Sequence, residues 1–208
     1  MKIVAFSDTH MRHCEIVMPE GDLLIFAGDM CRFGELDEIK DFNQYLSSLP
    51  HPYKIVIAGN HDWPFESQSL AAQQLLTEAI YLQDNAVEIE GLKIYGSPWQ
   101  PEFFSWAFNL PRGKLLREKW DLIPVDCDIL ITHSPPFLIR DQLKNGEHVG
   151  CEMLKTALET TIKPKVHIFG HIHEAYGLYE TNETTYANAC LCTEYAGALN
   201  SPLVIELN

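Results

Sequence analysis

Five short and almost continuously apolar segments constrain the fold of this chain more than any other feature of its sequence. They are rich in isoleucine and valine, and they read KIVAF, LLIFA, KIVIA, DILIT and KVHIF at positions 2–6, 23–27, 54–58, 128–132 and 165–169. A strand that is apolar on both faces must be covered on both faces, as in parallel sheets flanked by helices. The chain is therefore predicted to belong to the α/β class.

Helical and hairpin patterns fill the intervals between these strands. Apolar residues recur at helical spacing over 35–50 and 149–164, and each of these segments ends at a proline. A third helix is predicted over 68–80. The segments 87–96 and 177–189 are predicted hairpins, with turns near Glu90-Gly91 and Thr181-Asn182-Glu183. Together these elements predict a mixed α/β sandwich whose helices cover buried sheets.

The composition allows one substantial core and limits what the chain can bind. Its 208 residues are 46% hydrophobic, and no linker, repeat or low-complexity tract divides them, so we expect one domain over 1–208. The formal net charge of −14 argues against general nucleic-acid binding and against a membrane partner. The first residues turn polar too soon for a signal peptide, so we expect a cytoplasmic protein. Its six cysteines are then expected to be thiols.

Polar side chains follow each of the five predicted strands at the point where the strand ends. In chain order they are Asp8 and His10; Asp29; Asn60, His61 and Asp62; His133; and His171 and His173. Because open α/β sheets place their ligand crevices at the carboxyl ends of the strands, we expect these side chains to meet at one edge. Any one of these motifs, taken alone, would more often belong to a turn or contain a hydrogen-bonded structural residue than hold a metal ligand. Five of them at one edge predict a shared metal site.

The donor types narrow the choice of metal. Carboxylate, amide and imidazole groups suit Mn, Fe, Zn or Co ions better than a closed structural zinc site, and manganese is favoured. His171 and His173 would point the same way, about 6 to 7 Å apart, which suits two neighbouring ions. His167, which lies earlier in the strand, is expected to be structural or to support a ligand. Seven candidate ligands fit two ions about 3.5 to 4 Å apart that share a carboxylate: Asp8, His10, Asp29, Asn60, His133, His171 and His173.

The order of the motifs Asp-x-His, Gly-Asp, Gly-Asn-His-Asp, His and Gly-His-x-His over 8–173 resembles that of the calcineurin-like metallophosphoesterase superfamily. The resemblance implies a four-layer α/β/β/α sandwich of two mixed sheets flanked by helices, with a dinuclear metal centre at the strand ends. It implies that His61 is an acid near the leaving group and lies outside the metal coordination. The implied ligands are Asp8, His10 and His173 for one metal and Asn60, His133 and His171 for the other, with Asp29 bridging.

Four further segments, IYGSPW, FNLPRG, HSPP and FGHIHEAYG, are similar to the metallophosphoesterase-domain-containing branch of the superfamily. Some members of that branch lack the first histidine of Gly-His-x-His, which this chain retains as His171. Protein phosphatases continue after Gly-Asp with an acid and an arginine, whereas Arg32 stands here where the acid would be. This departure argues against a Ser/Thr protein phosphatase. It also leaves the orientation of His61 open, with Asp62 as a candidate for that role.

The predicted function is hydrolysis of small phosphodiesters, including cyclic nucleotides, by a hydroxide that bridges the two metals. In this hypothesis His61 protonates the leaving group. The aromatic residues of 96–113 either stack a flat leaving group or simply anchor their loop to the core. Low-specificity candidates for substrate contacts, each equally typical of an ordinary surface or loop residue, are Arg12, His13, Arg32, Trp63, Trp99 and Asn109.

Three alternatives to this function stay open. The first is a nucleotide-binding regulatory protein with the same fold and weak turnover, which the presence of Asn60, His133 and His171 disfavours. The second is a phosphomonoesterase, which the sequence does not separate from a diesterase. The third is a metal-stabilised structural module. A core of this size instead predicts that the metal-free protein stays folded.

Overall fold

Two β-sheets form the centre of the computed structural model, which describes residues 1–193 and 197–207. The first sheet has the strand order β13-β1-β2-β3-β4, in which β1 to β4 are parallel and β13 is antiparallel to β1. Its strands are β1 (Lys2–Phe6), β2 (Leu23–Ala27), β3 (Tyr53–Ile57), β4 (Ile80–Tyr81) and β13 (Leu203–Glu206).

The second sheet has the order β11-β12-β10-β9-β6-β5, with four parallel strands at its centre and an antiparallel strand at each edge. Its strands are β5 (Asn85–Ile89), β6 (Leu92–Ser97), β9 (Ile129–Thr132), β10 (Val166–Phe169), β11 (Gly177–Glu180) and β12 (Thr185–Asn188). A separate parallel pair consists of β7 (Gln100–Pro101) and β8 (Asn109–Leu110).

Helices cover the outer face of each sheet. They are α1 (Leu36–Ser47), α2 (Trp63–Ser67) and α3 (Ser69–Leu75) over the first sheet, and α4 (Lys114–Trp120) and α5 (Glu152–Thr160) over the second. Two short 3-10 helices span His13–Glu15 and His173–Ala175. None of the helices in the described part of the chain combines the length and the apolarity that crossing a bilayer requires.

Apolar side chains fill three layers between these elements. The layer between the sheets is mainly aliphatic and includes Ile3, Ile25, Ile55, Ile94, Ile129 and Ile168. Alternate residues of the first sheet, such as Val4 and Phe26, face outward and pack with helix residues such as Phe42. Phe169 of the second sheet packs with Trp120 of α4 in the same way. The four-layer α/β/β/α sandwich predicted for this chain is thus confirmed.

The predicted strands agree with the structure to within one residue at each end, and both hairpins form with their turns where predicted. The helix predicted over 68–80 is shorter, because α3 ends at Leu75 and the chain continues into β4. Asn43 of α1 explains this early end: its side-chain oxygen accepts the backbone N–H of Glu78, and its nitrogen donates to Thr77. These bonds hold the chain outside a helical path. The sequence did not predict α2 or α4.

The two sheets meet at the carboxyl ends of their parallel strands. Ser7, which follows β1, forms an isolated parallel bridge with Cys190, which follows β12. The backbone N–H of Asp8 donates to the carbonyl of Gly28, and that of Gly170 donates to the carbonyl of His133. These bonds draw the loops after the parallel strands into one rim, which carries the predicted metal ligands.

Candidate metal centre

The seven candidate ligands all lie on the segments that follow the carboxyl ends of β1, β2, β3, β9 and β10, and His173 begins the 3-10 helix after β10. Four of them have left-handed backbone conformations: φ is 53° at Asp8, 42° at His10, 64° at Asp29 and 69° at His171. Such conformations are uncommon for residues other than glycine, and they persist only where the surrounding structure holds them. The rim is therefore a place where the fold imposes strain in order to aim side chains.

Two glycines allow the rim loops to approach each other. A side chain at Gly59 would collide with the carboxylate of Asp29 and with the ring of His133. A side chain at Gly170 would collide with Asp8 and Ser7. The glycines before Asn60 and His171 are thus required because other side chains occupy the space that a Cβ atom would need.

Asp29 lies between two of the candidate imidazoles. Its Oδ2 is 3.9 Å from Nε2 of His10, and its Oδ1 is 3.5 Å from Nε2 of His133. Oδ1 also accepts the backbone N–H of His61 at 2.8 Å. The side chain of Asp29 is almost fully buried. Each carboxylate oxygen therefore faces a different imidazole, which is the arrangement that a bridging ligand needs.

The other candidates form two groups on either side of Asp29. In the first group His173 stacks on His10 with 5.4 Å between ring centroids, and its Nε2 is 3.5 Å from Oδ1 of Asp8. In the second group the rings of His133 and His171 are 5.0 Å apart. Nε2 of His133 is 2.9 Å from Oδ1 of Asn60. The structure thus brings all seven candidates together, with Asp29 between the groups.

Asp8 has neighbours that the sequence did not point to. Its Oδ2 accepts hydrogen bonds from the Ser7 hydroxyl at 2.5 Å and from the Cys190 thiol at 2.9 Å. The backbone N–H of His171 also donates to this carboxylate. These donors surround Oδ2 and leave Oδ1 as the oxygen nearest to His173. Cys190 follows β12, a parallel strand like the five that precede the candidate ligands. Its position at the end of that strand was the signal in the sequence that could have identified it.

The charges of the buried groups depend on one another. Burial favours the neutral form of Asp29, but the neighbouring His133 outweighs it and holds the pKa of Asp29 below its usual range. Burial alone would lower the pKa of His133, whereas the Asp29 carboxylate raises it to about 9. Burial, followed by the charge of His133, lowers the pKa of His171 to about 3. Without an ion, the rim therefore holds ionised carboxylates beside a protonated His133 and a neutral His171, and a bound cation would have to replace the proton of His133.

His61 lies beside the centre and is oriented by a main-chain group. Its Nδ1 is 3.1 Å from the carbonyl oxygen of Arg32, which can only accept, so Nδ1 carries the proton in this bond. The carboxylate of Asp62 is engaged elsewhere: it accepts the backbone N–H groups of Asp29, Cys31 and Gly59 at 2.8 to 2.9 Å. Asp62 thus ties the loops after β2 and β3 together rather than orienting the His61 ring.

Three of the six predicted substrate contacts have structural partners. His13 is fully buried, and its Nε2 is 2.8 Å from Oδ2 of Asp41. Trp99 donates its indole N–H to Asp84 at 2.8 Å. Asn109 donates to the carbonyl oxygens of two residues in the loop 102–108. These contacts support the fold around the rim, and the burial of His13 keeps its ring away from a substrate.

The other three predicted contacts are less enclosed. Arg12 pairs with Glu15 and donates to the carbonyl of Gly197. Arg32 is exposed, with its guanidinium carbon 5.2 Å from the centroid of the Phe33 ring. Trp63 is half-buried at the start of α2 and packs against the outer core. Of the six, Arg32 presents the most accessible cation.

Two rings of the loop 102–108, which we name the aromatic loop, contact the candidate centre. The Trp106 ring lies 4.3 Å from the His61 ring at an interplanar angle of 32°. The Phe103 ring lies 6.3 Å from the His171 ring, edge to face. The cluster of aromatic residues in the sequence indicated this loop. It could not indicate which rings reach the histidines, because those contacts join distant parts of the chain.

Comparisons with known proteins agree with this arrangement of motifs and fold. The family model for calcineurin-like phosphoesterases matches residues 1–175. Human Metallophosphoesterase domain-containing protein 1 is 46% identical over 230 residues, a match that covers 99% of this chain and 71% of the human protein. The Mus musculus protein of the same name gives the same values. The solved structure of TT1561 from Thermus thermophilus has a TM-score of 0.60 at 14% identity, covering 90% of this chain and 88% of that one. At that identity the likeness concerns the fold alone.

Proposed function

The chain belongs to the calcineurin-like phosphoesterase family, and on this premise we propose that it hydrolyses small phosphodiesters with two metal ions held at the rim. The observation that carries this proposal is the position of Asp29, whose two carboxylate oxygens face imidazoles of two different groups. A carboxylate placed in this way can hold two ions side by side, as a dinuclear hydrolytic centre requires.

The residues of the rim fit such ions. Asp8 and Asp29 are buried, and their ion pairs within the described part of the chain are with histidines. No described residue forms a hydrogen bond with the ring of His171. Buried carboxylates need compensating charge, and the partly buried ring of His171 has nitrogen atoms open to a ligand. Two cations would provide the charge and bind the ring.

We assign Asp8, His10 and His173 to one ion, Asn60, His133 and His171 to the other, and Asp29 to both. Ions bound in this way would acidify a water molecule and offset the charge of the phosphoryl oxygens. The Cys190 thiol donates to Oδ2 of Asp8, and we assign it to the support of this ligand rather than to an ion. With oxygen and nitrogen ligands, Mn, Fe, Zn and Co are the candidate metals, and we favour manganese.

His61 serves as the acid in this proposal. Its Nδ1–H is held by the Arg32 carbonyl, and in the imidazolium form the proton on its other ring nitrogen can pass to the leaving alkoxide or phenoxide, which leaves a neutral ring. A ring nitrogen of His61 lies within 4.8 Å of a ring nitrogen of His10 and of a carboxylate oxygen of Asp29, which places it at the edge of the centre. Proton donation to a leaving group needs a position of this kind.

The rim favours a small substrate with a flat group. Phe103 is 51% exposed and lies beside His171, where a nucleobase or an aryl leaving group can stack on it. The negative net charge of the chain opposes binding of an anion, so attraction of a phosphodiester depends on the two ions and on Arg32. We therefore propose phosphodiesters of nucleotide size, cyclic nucleotides included.

Hydrolysis of bis(p-nitrophenyl) phosphate tests this function. The protein is stripped with EDTA and then supplied with Mn²⁺, and we expect turnover to vanish and to return while circular dichroism shows that the fold persists throughout. The monoester p-nitrophenyl phosphate, assayed in parallel, should be the poorer substrate. Absence of turnover with Mn²⁺, Fe²⁺, Zn²⁺ and Co²⁺ would contradict the proposal, and preference for the monoester would contradict its substrate class.

A further inference from the structure

The ring of His61 is held by uncharged groups. Its Nδ1 bonds the Arg32 carbonyl, one side of the ring packs on Trp106 at 4.3 Å, and the His10 ring meets it edge to face at 4.6 Å. Among the described residues, no carboxylate accepts a hydrogen bond from this ring. A single hydrogen bond to a carbonyl leaves the plane of an imidazole free to tilt. Packing against a second ring removes that freedom.

The aromatic loop is built to keep Trp106 in place. The backbone N–H of Ala107 donates to the carbonyl of Asn60 at 3.2 Å, which ties the residue after Trp106 to the residue before His61. The Asn109 side chain donates to the carbonyls of Phe103 and Phe104 and so closes the loop on itself. These bonds fix the Trp106 ring relative to the backbone that carries His61.

We propose that Trp106 is a positioning residue for His61, and that with the Arg32 carbonyl it fills an orienting role that no carboxylate of the described residues takes. This inference rests on the proposed function, since it takes His61 as the acid. Proton donation depends on the aim of the ring, because a displacement of about 1 Å can reduce a rate by about 10²-fold. One face of Trp106 is taken up by His61, and its side chain is half-buried. The more exposed Phe103 is better placed to meet a substrate.

Leaving-group dependence separates positioning of an acid from general support of the loop. 4-Nitrophenolate is a stable anion and leaves without being protonated. Phenolate is more basic, so its departure needs a proton from an acid. We expect Trp106→Leu to lower kcat on phenyl methyl phosphate about 10-fold more than on 4-nitrophenyl methyl phosphate. Trp106→Phe, which retains a ring, should restore most of the difference. Phe104→Leu, an exposed position in the same loop, is the matched control and should leave the ratio of the two rates unchanged.

A double-mutant comparison isolates the route by which Trp106 acts. If Trp106 works through His61, adding Trp106→Leu to His61→Ala should change kcat by less than about two-fold, because residues that act as a unit are not additive. An equal loss on both esters, or a full additional loss in the His61→Ala background, would overturn the inference. Either result would show that Trp106 contacts the substrate or supports the loop in general.

A spectroscopic measurement on the metal-free protein tests positioning without turnover. In the parent protein, ¹⁵N spectra of the imidazole should show an Nδ1–H that stays bonded to the Arg32 carbonyl. In Trp106→Leu the ring is free to tilt on that bond, so its ¹⁵N signals should shift and broaden. Identical shifts in both proteins would overturn the inference even if no phosphodiester is hydrolysed. Failure of the proposed function and failure of this inference therefore give different results.

Discussion

The two ends of the parallel strands carry acidic residues in opposite settings. At the amino ends, Asp22 and Glu90 are exposed and line an open cavity of about 470 Å³ with Met1, Tyr53 and Leu207. Their partners are neutral, since Asp22 accepts the backbone N–H of Lys2 and Glu90 accepts the Tyr53 hydroxyl. At the carboxyl ends, the rim acids are buried among histidines on strained backbone. Burial and strain, rather than acidity or an open cavity, thus distinguish the candidate centre.

The most severe way to disturb the rim is to neutralise its shared carboxylate. Asp29→Asn removes one negative charge from between the two groups, so we expect both ions to be lost together and kcat/KM on bis(p-nitrophenyl) phosphate to fall by more than about 10³-fold. The matched change at the other end is Asp22→Asn, for which we expect activity within about two-fold of the parent, since surface changes are usually mild. Similar losses in the two variants would remove the distinction between the ends.

His61→Ala separates proton donation from metal binding at the rim. The proposed acid lies outside the ligand set, so we expect two ions to stay bound while kcat on phenyl methyl phosphate falls by about 10²-fold, near the lower end of the range for acid catalysis. Metal content by inductively coupled plasma mass spectrometry, measured beside the rate, checks this. Loss of a metal from this variant would instead make His61 a ligand.

Substitutions of Cys190 test whether metal affinity at the rim depends on the hydrogen bonds to Asp8. Cys190→Ala removes a donor from Oδ2 of Asp8, and we expect Mn²⁺ affinity to weaken about 10-fold, the lower end of the effect of residues that support metal ligands. Cys190→Ser keeps a donor and should recover part of the affinity. Competition with a fluorescent chelator measures both variants. An unchanged affinity in Cys190→Ala would show that Ser7 and the His171 backbone suffice.

His167 of β10 offers a further comparison, because it is a buried histidine outside the set of candidate ligands. Its Nε2 is 2.9 Å from the Thr132 hydroxyl, and burial lowers its pKa to about 3. The unfolded chain binds a proton near pH 6.5, so between that pH and about 3 the unfolded state holds one more proton than the folded state. The contribution of neutral His167 to stability is therefore complete above pH 6.5 and is lost as the pH falls.

We expect this group to contribute a slope of about 1.4 kcal/mol per pH unit to the free energy of unfolding in that window. Urea denaturation of metal-free parent and His167→Gln at several pH values measures the difference, and the variant should lose stability less steeply on acidification. Parallel pH profiles in the two proteins would show that His167 does not titrate in this way.

The sequence predicted the parts of the fold and site that depend on local pattern. The apolar runs predicted the strands, and their parallel arrangement predicted that the residues following them converge, as Asp8, His133 and His171 do. Contacts between residues far apart in the chain were not accessible. Examples are the packing of Trp106 on His61 and the hydrogen bond from Cys190 to Asp8.

The sequence also did not indicate which polar side chains near the motifs are buried. His13 follows the first motif by three positions and has a polar ring typical of a substrate contact. In the structure it is buried against Phe42 and paired with Asp41 of α1.

The helix α4 was not predicted because its apolar pattern is weak. It places only Leu116 and Trp120 in the core, and two buried apolar residues in seven give too weak a periodicity to predict a helix.

The most direct test of the central claim is anomalous diffraction from crystals of the Mn²⁺-loaded protein, recorded on both sides of the manganese absorption edge. The account predicts two manganese peaks about 3.5 to 4 Å apart, with one carboxylate oxygen of Asp29 or both lying between them. A single peak, or two peaks that do not share Asp29, would contradict it.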